Sequence, residues 1–257
     1  MATERDAATV ALLRDEPRGK RGEAGLQVLL GLRPATSRFA ASAEVFPGGS
    51  LERQDLEPQG RAGAGRAGPN PVGREFLRAA VRETFEECGV LLARDRSGRR
   101  CGASELASFR SARLPTSAPF GERLRRSGLR PAFEDLVYCA RWVTPEGFPV
   151  VYDTRFFVAG LPRGQEARVA AAGELEALRW LEPEAALALA ERGETLILPP
   201  TRALLRRLCG LPTVRAALGS LGRDPVERIR PQLSELTPAR YPGLDLRRLG
   251  HAEGRGT

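Results

Sequence analysis

The sequence predicts a mixed α+β fold in which several short strands accompany one well-defined amphipathic helix. Apolar, β-prone runs recur between clusters of turn residues, and one segment near residue 80 repeats its apolar residues at three- and four-residue spacing. The chain has 257 residues, 42% of them hydrophobic and 28% charged, which is enough for a sizeable buried core. The sequence contains no internal repeat. We therefore expect a globular α+β protein with long loops.

The chain is expected to open as β-structure. Residues 7–13 and 26–32 are short apolar runs separated by the polar, glycine-containing stretch 15–25, a pattern typical of a hairpin. A further short strand is predicted over 44–46, where the proline and two glycines of 47–49 stop it. The backbone is expected to turn tightly at this point.

The clearest helix prediction follows a segment of loop character. Residues 52–72 combine glycine, proline and scattered charges with little apolar content, so we expect an exposed insertion there. Beyond it, the apolar face of a helix is formed by Phe76, Leu77, Ala80, Val81, Thr84, Phe85 and Cys88. Gly89 is a suitable end for this helix. Residues 94–129 show only a weak helical pattern and receive no assignment.

The second half of the chain alternates further strands and helices. Strands are predicted over 136–143, 150–158 and 178–181, and helices over 183–192, 201–209 and 214–221. We expect residues 1–222 to form one domain, with the insertion at about 52–72, and residues 223–257 to form a C-terminal extension.

Composition narrows the function classes. No run approaches 18 consecutive apolar residues and the N-terminus is charged throughout, so neither a membrane span nor a secretory signal is expected, and a cytoplasmic location is predicted. The four cysteines lack CxxC spacing and the chain has one histidine, which argues against a zinc site. The net charge of +8 comes from scattered arginines rather than a compact basic block, so a solvated surface is favoured over nucleic-acid binding.

Three glutamates in the central helix carry the chemical signal. Glu83, Glu86 and Glu87 are spaced i, i+3 and i+4, which places them on one helix face. Their mutual repulsion is relieved when a divalent cation lies between them, and hard carboxylate oxygens suit Mg²⁺ or Mn²⁺. The alternative is an ordinary amphipathic helix whose glutamates face water, with Arg82 paired to Glu86.

The surrounding residues resemble the Nudix box, whose pattern is G-x5-E-x7-R-E-U-x-E-E-x-G-U, with U an aliphatic residue. Thr84 replaces the first aliphatic residue, and the matching positions are Arg82, Glu83, Glu86, Glu87, Gly89 and Val90. The segment 46–49, Phe-Pro-Gly-Gly, resembles the strand and turn that open the box. Arg82 lies 33 positions after Gly49, where the pattern has 14, and counting eight back from Arg82 gives Arg74. The x5-E glutamate is therefore expected to be absent or displaced.

An interruption at this place is similar to that of the nudix motif 19 subfamily, which includes coenzyme A diphosphatases. Arg33 and Arg38 match two arginines of the motif that precedes Phe-Pro-Gly-Gly in coenzyme A pyrophosphatases, whereas Pro34 and Ser42 depart from it. The resemblance implies a Nudix α/β/α sandwich with a mixed sheet, a glycine-rich insertion within the box and a helical C-terminal extension.

The resemblance also implies roles for individual residues. The metal ligands would be Glu83, Glu86, Glu87 and the backbone carbonyl of Gly49. Glu83, Glu86 and Arg82 would be catalytic, with Arg82 orienting the carboxylates; which glutamate acts as the base is open. Arg33 and Arg38 would bind the diphosphate or the 3′-phosphate of the substrate. The resemblance places Glu174 or Glu176 to supply an additional carboxylate, although for each of them singly a plain loop residue is the favoured interpretation.

The expected activity is Mg²⁺- or Mn²⁺-dependent hydrolysis of coenzyme A or acyl-coenzyme A to 4′-phosphopantetheine derivatives and adenosine 3′,5′-bisphosphate. One alternative is the same chemistry on ADP-ribose, NADH or another nucleoside diphosphate derivative, because the box fixes the reaction and not the substrate. The other alternative is a module with the Nudix fold that binds a ligand without catalysing a reaction. The expected partner is a small nucleotide, no membrane association is expected, and a homodimer is left open.

Overall fold

A computed structural model provides the structure of the protein. It describes residues 3–18, 23–37, 40–56, 70–112, 118–170 and 174–246. Arg38 and most of the predicted insertion, residues 57–69, lie outside the described residues.

Strands and helices alternate along the described residues. The strands are β1 (Thr3–Arg18), β2 (Glu23–Leu32), β3 (Ala43–Val45), β4 (Gly48–Ser50), β5 (Ala93–Arg94), β6 (Arg130–Pro131), β7 (Val137–Val143), β8 (Val150–Gly160), β9 (Ala177–Leu181), β10 (Leu196–Ile197) and β11 (Arg228–Ile229). The helices are α1 (Arg53–Leu56), α2 (Arg74–Cys88), α3 (Ala103–Ser111), α4 (Phe120–Arg126), α5 (Pro183–Glu191), α6 (Pro199–Leu208) and α7 (Val214–Leu221).

A mixed sheet forms the centre of the molecule, with the strand order β10-β3-β2-β1-β8-β7-β11; β4 also pairs with β1 and β9 with β2. The predicted N-terminal hairpin is confirmed, but β1 extends to Arg18 and β2 already begins at Glu23. The connection is therefore shorter than the expected 15–25, because the polar residues near the turn continue the antiparallel ladder. The predicted β7–β8 hairpin is also confirmed.

Helices cover the sheet on both faces, as alternation along β1 requires. Val10 and Leu12 belong to a core beneath α2, α3 and α4. Ala11 and Leu13 point to the other face and belong to a second core beneath α5, α6 and α7. No helix within the described ranges is long and apolar enough to cross a membrane.

Two segments hold structure that the sequence pattern did not indicate. Residues 94–129, which received no assignment, contain α3 and α4, and each helix buries two apolar side chains, namely Leu106 and Phe109, and Phe120 and Leu124. The beginning of the predicted exposed insertion forms α1, in which Asp55 is buried. The loop prediction is therefore wrong for residues 53–56, and the predicted exposure is wrong for Asp55.

Residues 224–246, hereafter the C-terminal segment, pack against the sheet. Their short strand β11 lies parallel to β7 at one sheet edge. Farther along, Leu236, Tyr241 and Leu244 join a third apolar cluster with Ala40, Ala43, Phe148 and Leu198. Ala43 lies in β3 near the opposite sheet edge, so the C-terminal segment spans the sheet.

Candidate active site

Helix α2 positions the acidic residues, and both its amphipathic pattern and its end follow from the sequence. Its apolar residues are buried against the sheet, as expected. Gly89 ends the helix in the left-handed conformation at φ 65°, and its N–H donates to the carbonyl of Phe85. The predicted helix is confirmed, and Glu83, Glu86 and Glu87 of its polar face line one cleft with Gly48 and Gly49 of β4.

Arg82 is the centre of the acidic group. Its side chain is 1% exposed, and its Nη1 donates to Glu83 at 2.9 Å and to Glu86 at 2.8 Å. Its Nη2 donates to Asp55 Oδ2 at 2.7 Å and to the carbonyl of Ser50 at 3.1 Å, while Nε donates to Asp55 Oδ1 at 3.2 Å. Burial opposes the charged form, but the hydrogen bond to Asp55 and the charge of Glu83 outweigh it and raise the pKa of Arg82. Arg82 therefore holds two of the predicted metal ligands in place as a permanent cation.

Two carboxylates of this group were not predicted from the sequence. Asp55 is buried and makes a forked contact with Arg82, and Glu52, which is about half exposed, lies 3.4 Å from it. Asp55 stands six positions after Gly49, which is where the x5-E carboxylate of the resembled pattern belongs. The acidic position is thus occupied by an aspartate, and the interruption follows it, so the element is displaced from Arg82 rather than lost.

Gly48 and Gly49 lie in strand β4, which fits closely against α2. The N–H of Gly48 donates to Oε2 of Glu87 at 2.8 Å. A Cβ at Gly49 would lie 2.4 Å from Oε1 of Glu83, and one at Gly48 would lie 2.5 Å from the carbonyl oxygen of Ala8. Any larger residue would displace either the backbone or a carboxylate, which explains the two consecutive glycines.

The electrostatics of the group suit a cation. Burial raises the pKa of Glu83 to about 7 against the attraction of Arg82, and the charge of Glu86 raises it further. Burial also raises the pKa of Glu87 to about 8, with the Gly48 hydrogen bond acting in the opposite direction. In this buried group the charged form of both carboxylates is therefore disfavoured, and a bound cation would stabilise it.

The oxygens of this group are hard donors of the kind that bind Mg²⁺ or Mn²⁺. Across the described ranges, no three acidic, cysteine or histidine side chains already form a ready-made metal cluster. The reason is visible in the contacts, because Glu83 and Glu86 are bonded to Arg82 and Glu87 is bonded to Gly48. The residues therefore fit a hard divalent cation in type and charge, and binding it requires exchange of some of these contacts.

A cleft of about 540 Å³ lies beside the acidic group. Its floor is the part of the sheet that α5, α6 and α7 do not cover. Every second side chain of the paired strands β1 and β8 lines the cleft there. The paired floor residues are Arg5 with Tyr152, Ala7 with Thr154, and Thr9 with Phe156. Small side chains in the middle of this floor leave room for a ligand next to the glutamates.

The structure separates the other predicted site residues. Arg33 and Glu174 line the cleft and form an ion pair at 3.2 Å, whereas Glu176 does not line it and is exposed. Arg38 lies outside the described residues. Arg5 was not predicted; it lines the cleft, and its side chain makes no hydrogen bond or ion pair with the residues that the structure describes.

Aromatic and cysteine side chains also divide by position. Trp142 packs against the second core and also lines the cleft, where an aromatic ring can stack on a base. Trp180 packs beside the first core and beneath Arg14, whose guanidinium lies 4.6 Å from its ring. Cys88 is buried, and burial raises the pKa of its thiol to about 12, which fits the expectation of a core residue rather than a nucleophile.

Comparison with known proteins agrees with this description. Residues 61–208 match a family model described as the NUDT19 Nudix domain. The chain is 29% identical to acyl-coenzyme A diphosphatase NUDT19 of Gallus gallus over 258 aligned positions, which cover 80% of this chain and 68% of that protein. It is 28% identical to putative nudix hydrolase 7 of Caenorhabditis elegans, in an alignment that covers 71% of this chain and 55% of that protein.

Among solved structures, a NUDIX hydrolase from Alicyclobacillus acidocaldarius is 30% identical, with a TM-score of 0.73. The match covers 88% of this chain and 100% of that structure. The predicted fold class, a mixed-sheet sandwich of the Nudix type, is thereby confirmed.

Proposed function

Because the chain belongs to the NUDT19 Nudix domain family and is a Nudix hydrolase, we propose that it hydrolyses the diphosphate linkage of coenzyme A and acyl-coenzyme A with the help of Mg²⁺ or Mn²⁺. The products would be 4′-phosphopantetheine or its acyl derivative and adenosine 3′,5′-bisphosphate. The observation that carries the proposal is the Arg82-centred carboxylate group beside a cleft large enough for a nucleotide. The name of the Gallus gallus relative supports the choice of substrate.

The cation would be held by Glu83, Glu86 and Glu87, together with the carbonyl of Gly49. When bound, such a cation neutralises the charge that develops on the diphosphate and makes water a better nucleophile near neutral pH. Arg82 keeps Glu83 and Glu86 at fixed positions on α2, while Asp55 holds Arg82 from behind. The protein thus prepares the negative site before the cation and substrate arrive.

The proton of the attacking water passes to a carboxylate of the same group. Glu83 and Glu86 both border the cleft, and both have a raised pKa, chiefly through burial. A raised pKa makes a carboxylate a more effective base close to neutral pH. Which of the two accepts the proton is decided by comparing Glu83→Gln with Glu86→Gln, since loss of the base alters the pH profile as well as the rate.

Arginines in the cleft provide the anion contacts. Arg33 would bind a phosphate of the substrate, with Arg38 in the same role as the sequence motif suggests. Glu174 forms an ion pair with Arg33, and its negative charge adds to the effect of burial, which is the main cause of the raised pKa of Glu87. Of the two carboxylates considered as additional ligands, we therefore propose Glu174, because Glu176 does not border the cleft.

Product analysis by mass spectrometry tests the proposal. The protein is incubated with coenzyme A, ADP-ribose and NADH, each with and without Mg²⁺. Adenosine 3′,5′-bisphosphate should form from coenzyme A only with the cation, and Glu86→Gln should slow this reaction roughly 100-fold. Glu176→Gln, an exposed carboxylate outside the cleft, is the matched control and should leave the rate unchanged. Cleavage of ADP-ribose or NADH instead of coenzyme A would refute the substrate and retain the chemistry.

A further inference from the structure

The C-terminal segment closes one side of the cleft. After β11 leaves the sheet edge beside Trp142, Pro231 and Leu236 of this segment line the cleft. Leu236 is 5% exposed and packs in the third apolar cluster, four of whose members also line the cleft: Ala40, Phe148, Leu198 and Leu236. This side of the cleft is therefore one continuous aliphatic and aromatic wall.

Specific contacts hold the C-terminal segment in place along its length. At its start, the side-chain amide of Asn70 donates to the carbonyl of Asp224 at 2.8 Å and accepts from the N–H of Val226 at 2.7 Å. Near its other end, the buried Arg202 donates to the carbonyl of Pro242 at 3.3 Å, and its guanidinium lies over the ring of Tyr241. A segment tied at both ends forms a defined wall, and the position of Leu236 is fixed by its neighbours.

None of the four wall residues carries a charge, and the charged side chains that line the cleft come from other segments. They belong to α2, to the segment before α1, to Arg5 on the floor, and to the pair formed by Arg33 and Glu174. The 3′-phosphate and the diphosphate of coenzyme A need cationic or metal partners, because burial of an unpaired phosphate charge is strongly unfavourable. The apolar wall offers no such partner, so it suits the half of the substrate that carries no phosphate.

We propose that the C-terminal segment forms the binding wall for the acyl-bearing half of an acyl-coenzyme A, and that Leu236 limits the length of the acyl chain accepted. This inference rests on the proposed function. Since the gain from burying apolar surface grows with each methylene, a side chain that ends an apolar pocket discriminates between chain lengths. Leu236 is then a specificity-determining residue, and it takes no part in the cleavage of the diphosphate.

Opposite changes at Leu236 test this role. Leu236→Ala extends the pocket and should raise the ratio of kcat/KM for dodecanoyl-coenzyme A to that for acetyl-coenzyme A roughly 10-fold. Leu236→Phe shortens the pocket and should lower the same ratio. The matched control is Leu244→Ala, because Leu244 is 4% exposed in the same apolar cluster but does not line the cleft. It removes a similar core contact and should leave the ratio unchanged.

The outcomes separate this inference from the proposed function. If the wild-type protein cleaves no coenzyme A thioester, both proposals fall. If it cleaves them but all three variants change every substrate by the same factor, Leu236 has only a structural role and the wall assignment is overturned. A ratio that moves in opposite directions in the two Leu236 variants supports it, and Leu236→Phe alone still tests the sign should Leu236→Ala fail to fold.

Discussion

Substitution of Asp55 by alanine should destabilise the protein strongly, although Asp55 was assigned to an exposed loop from the sequence. The change removes both hydrogen bonds that the Arg82 guanidinium donates to Asp55, at 2.7 and 3.2 Å, and leaves a cation that is 1% exposed with fewer partners. Breaking one partner of a buried ion pair costs about 3–5 kcal/mol. Because Glu83 and Glu86 still contact Arg82, we expect the lower end, about 3 kcal/mol.

Urea and thermal unfolding measure this effect, with EDTA present so that cation binding does not contribute to the stability of the native state. A loss of about 3 kcal/mol corresponds to a fall in Tm of roughly 6–12 °C for a chain of this size. Glu52→Ala is the matched control. The Glu52 carboxylate also contacts Arg82, at 3.4 Å, but its side chain is about half exposed. This substitution should change stability by at most about 1 kcal/mol.

Equal effects of Asp55→Ala and Glu52→Ala would refute the reasoning, since burial is the property that distinguishes the two carboxylates. A second readout connects stability to function. At a temperature where both variants are folded, Asp55→Ala should also lower kcat, because Arg82 loses the contact that holds it behind Glu83 and Glu86. An Asp55→Ala protein that is destabilised but fully active would show that this contact serves the fold alone.

Three further predictions concern the cleft. Gly49→Ala should lower kcat roughly 100-fold in steady-state assays, because the new Cβ would displace the Glu83 carboxylate. Gly219→Ala is the control and should leave kcat unchanged, because the space around its new Cβ is open. Calorimetric titration should show Mg²⁺ affinity rising from about pH 6 to pH 8, since protons on Glu83 and Glu87, with pKa values of about 7 and 8, must leave on binding; a flat profile would contradict this. Arg33→Ala should raise KM for coenzyme A roughly 10-fold, and an unchanged KM would remove Arg33 from the binding site.

The helices and strands whose apolar residues recur along one whole face could be predicted from the sequence. Helix α2 was found because its apolar spacing and its glycine end are local signals. The strands of the two hairpins were found for the same reason. Helices α3 and α4 were missed because each buries only two apolar side chains, too few to form a stripe. Their position depends on aromatic contacts made in three dimensions, such as Phe109 and Phe120 against Phe85.

The candidate site was predictable where its residues are close in sequence, and incomplete where the chain is interrupted. Glu83, Glu86 and Glu87 lie within one helical turn, so their spacing alone places them together. Asp55 was missed because the position was counted backwards from Arg82 across the interruption, whereas counting forwards from Gly49 reaches it. Glu174 could be placed beside Arg33 only in three dimensions, since 141 positions separate the two residues.

The same geometry explains why an interruption in this motif is tolerated. The pattern has seven residues between its acidic position and its arginine, and this chain has 26 between Asp55 and Arg82. Because the entropy of loop closure grows only with the logarithm of length, the longer connection costs about 1 kcal/mol more. Removal of the Asp55 carboxylate is expected to cost about 3 kcal/mol because it leaves the buried Arg82 cation without this partner, and that exceeds the cost of the longer connection. The acidic group therefore depends on its two anchored ends, Gly49 to Asp55 and Arg82 to Gly89, and only weakly on the length of the chain between them.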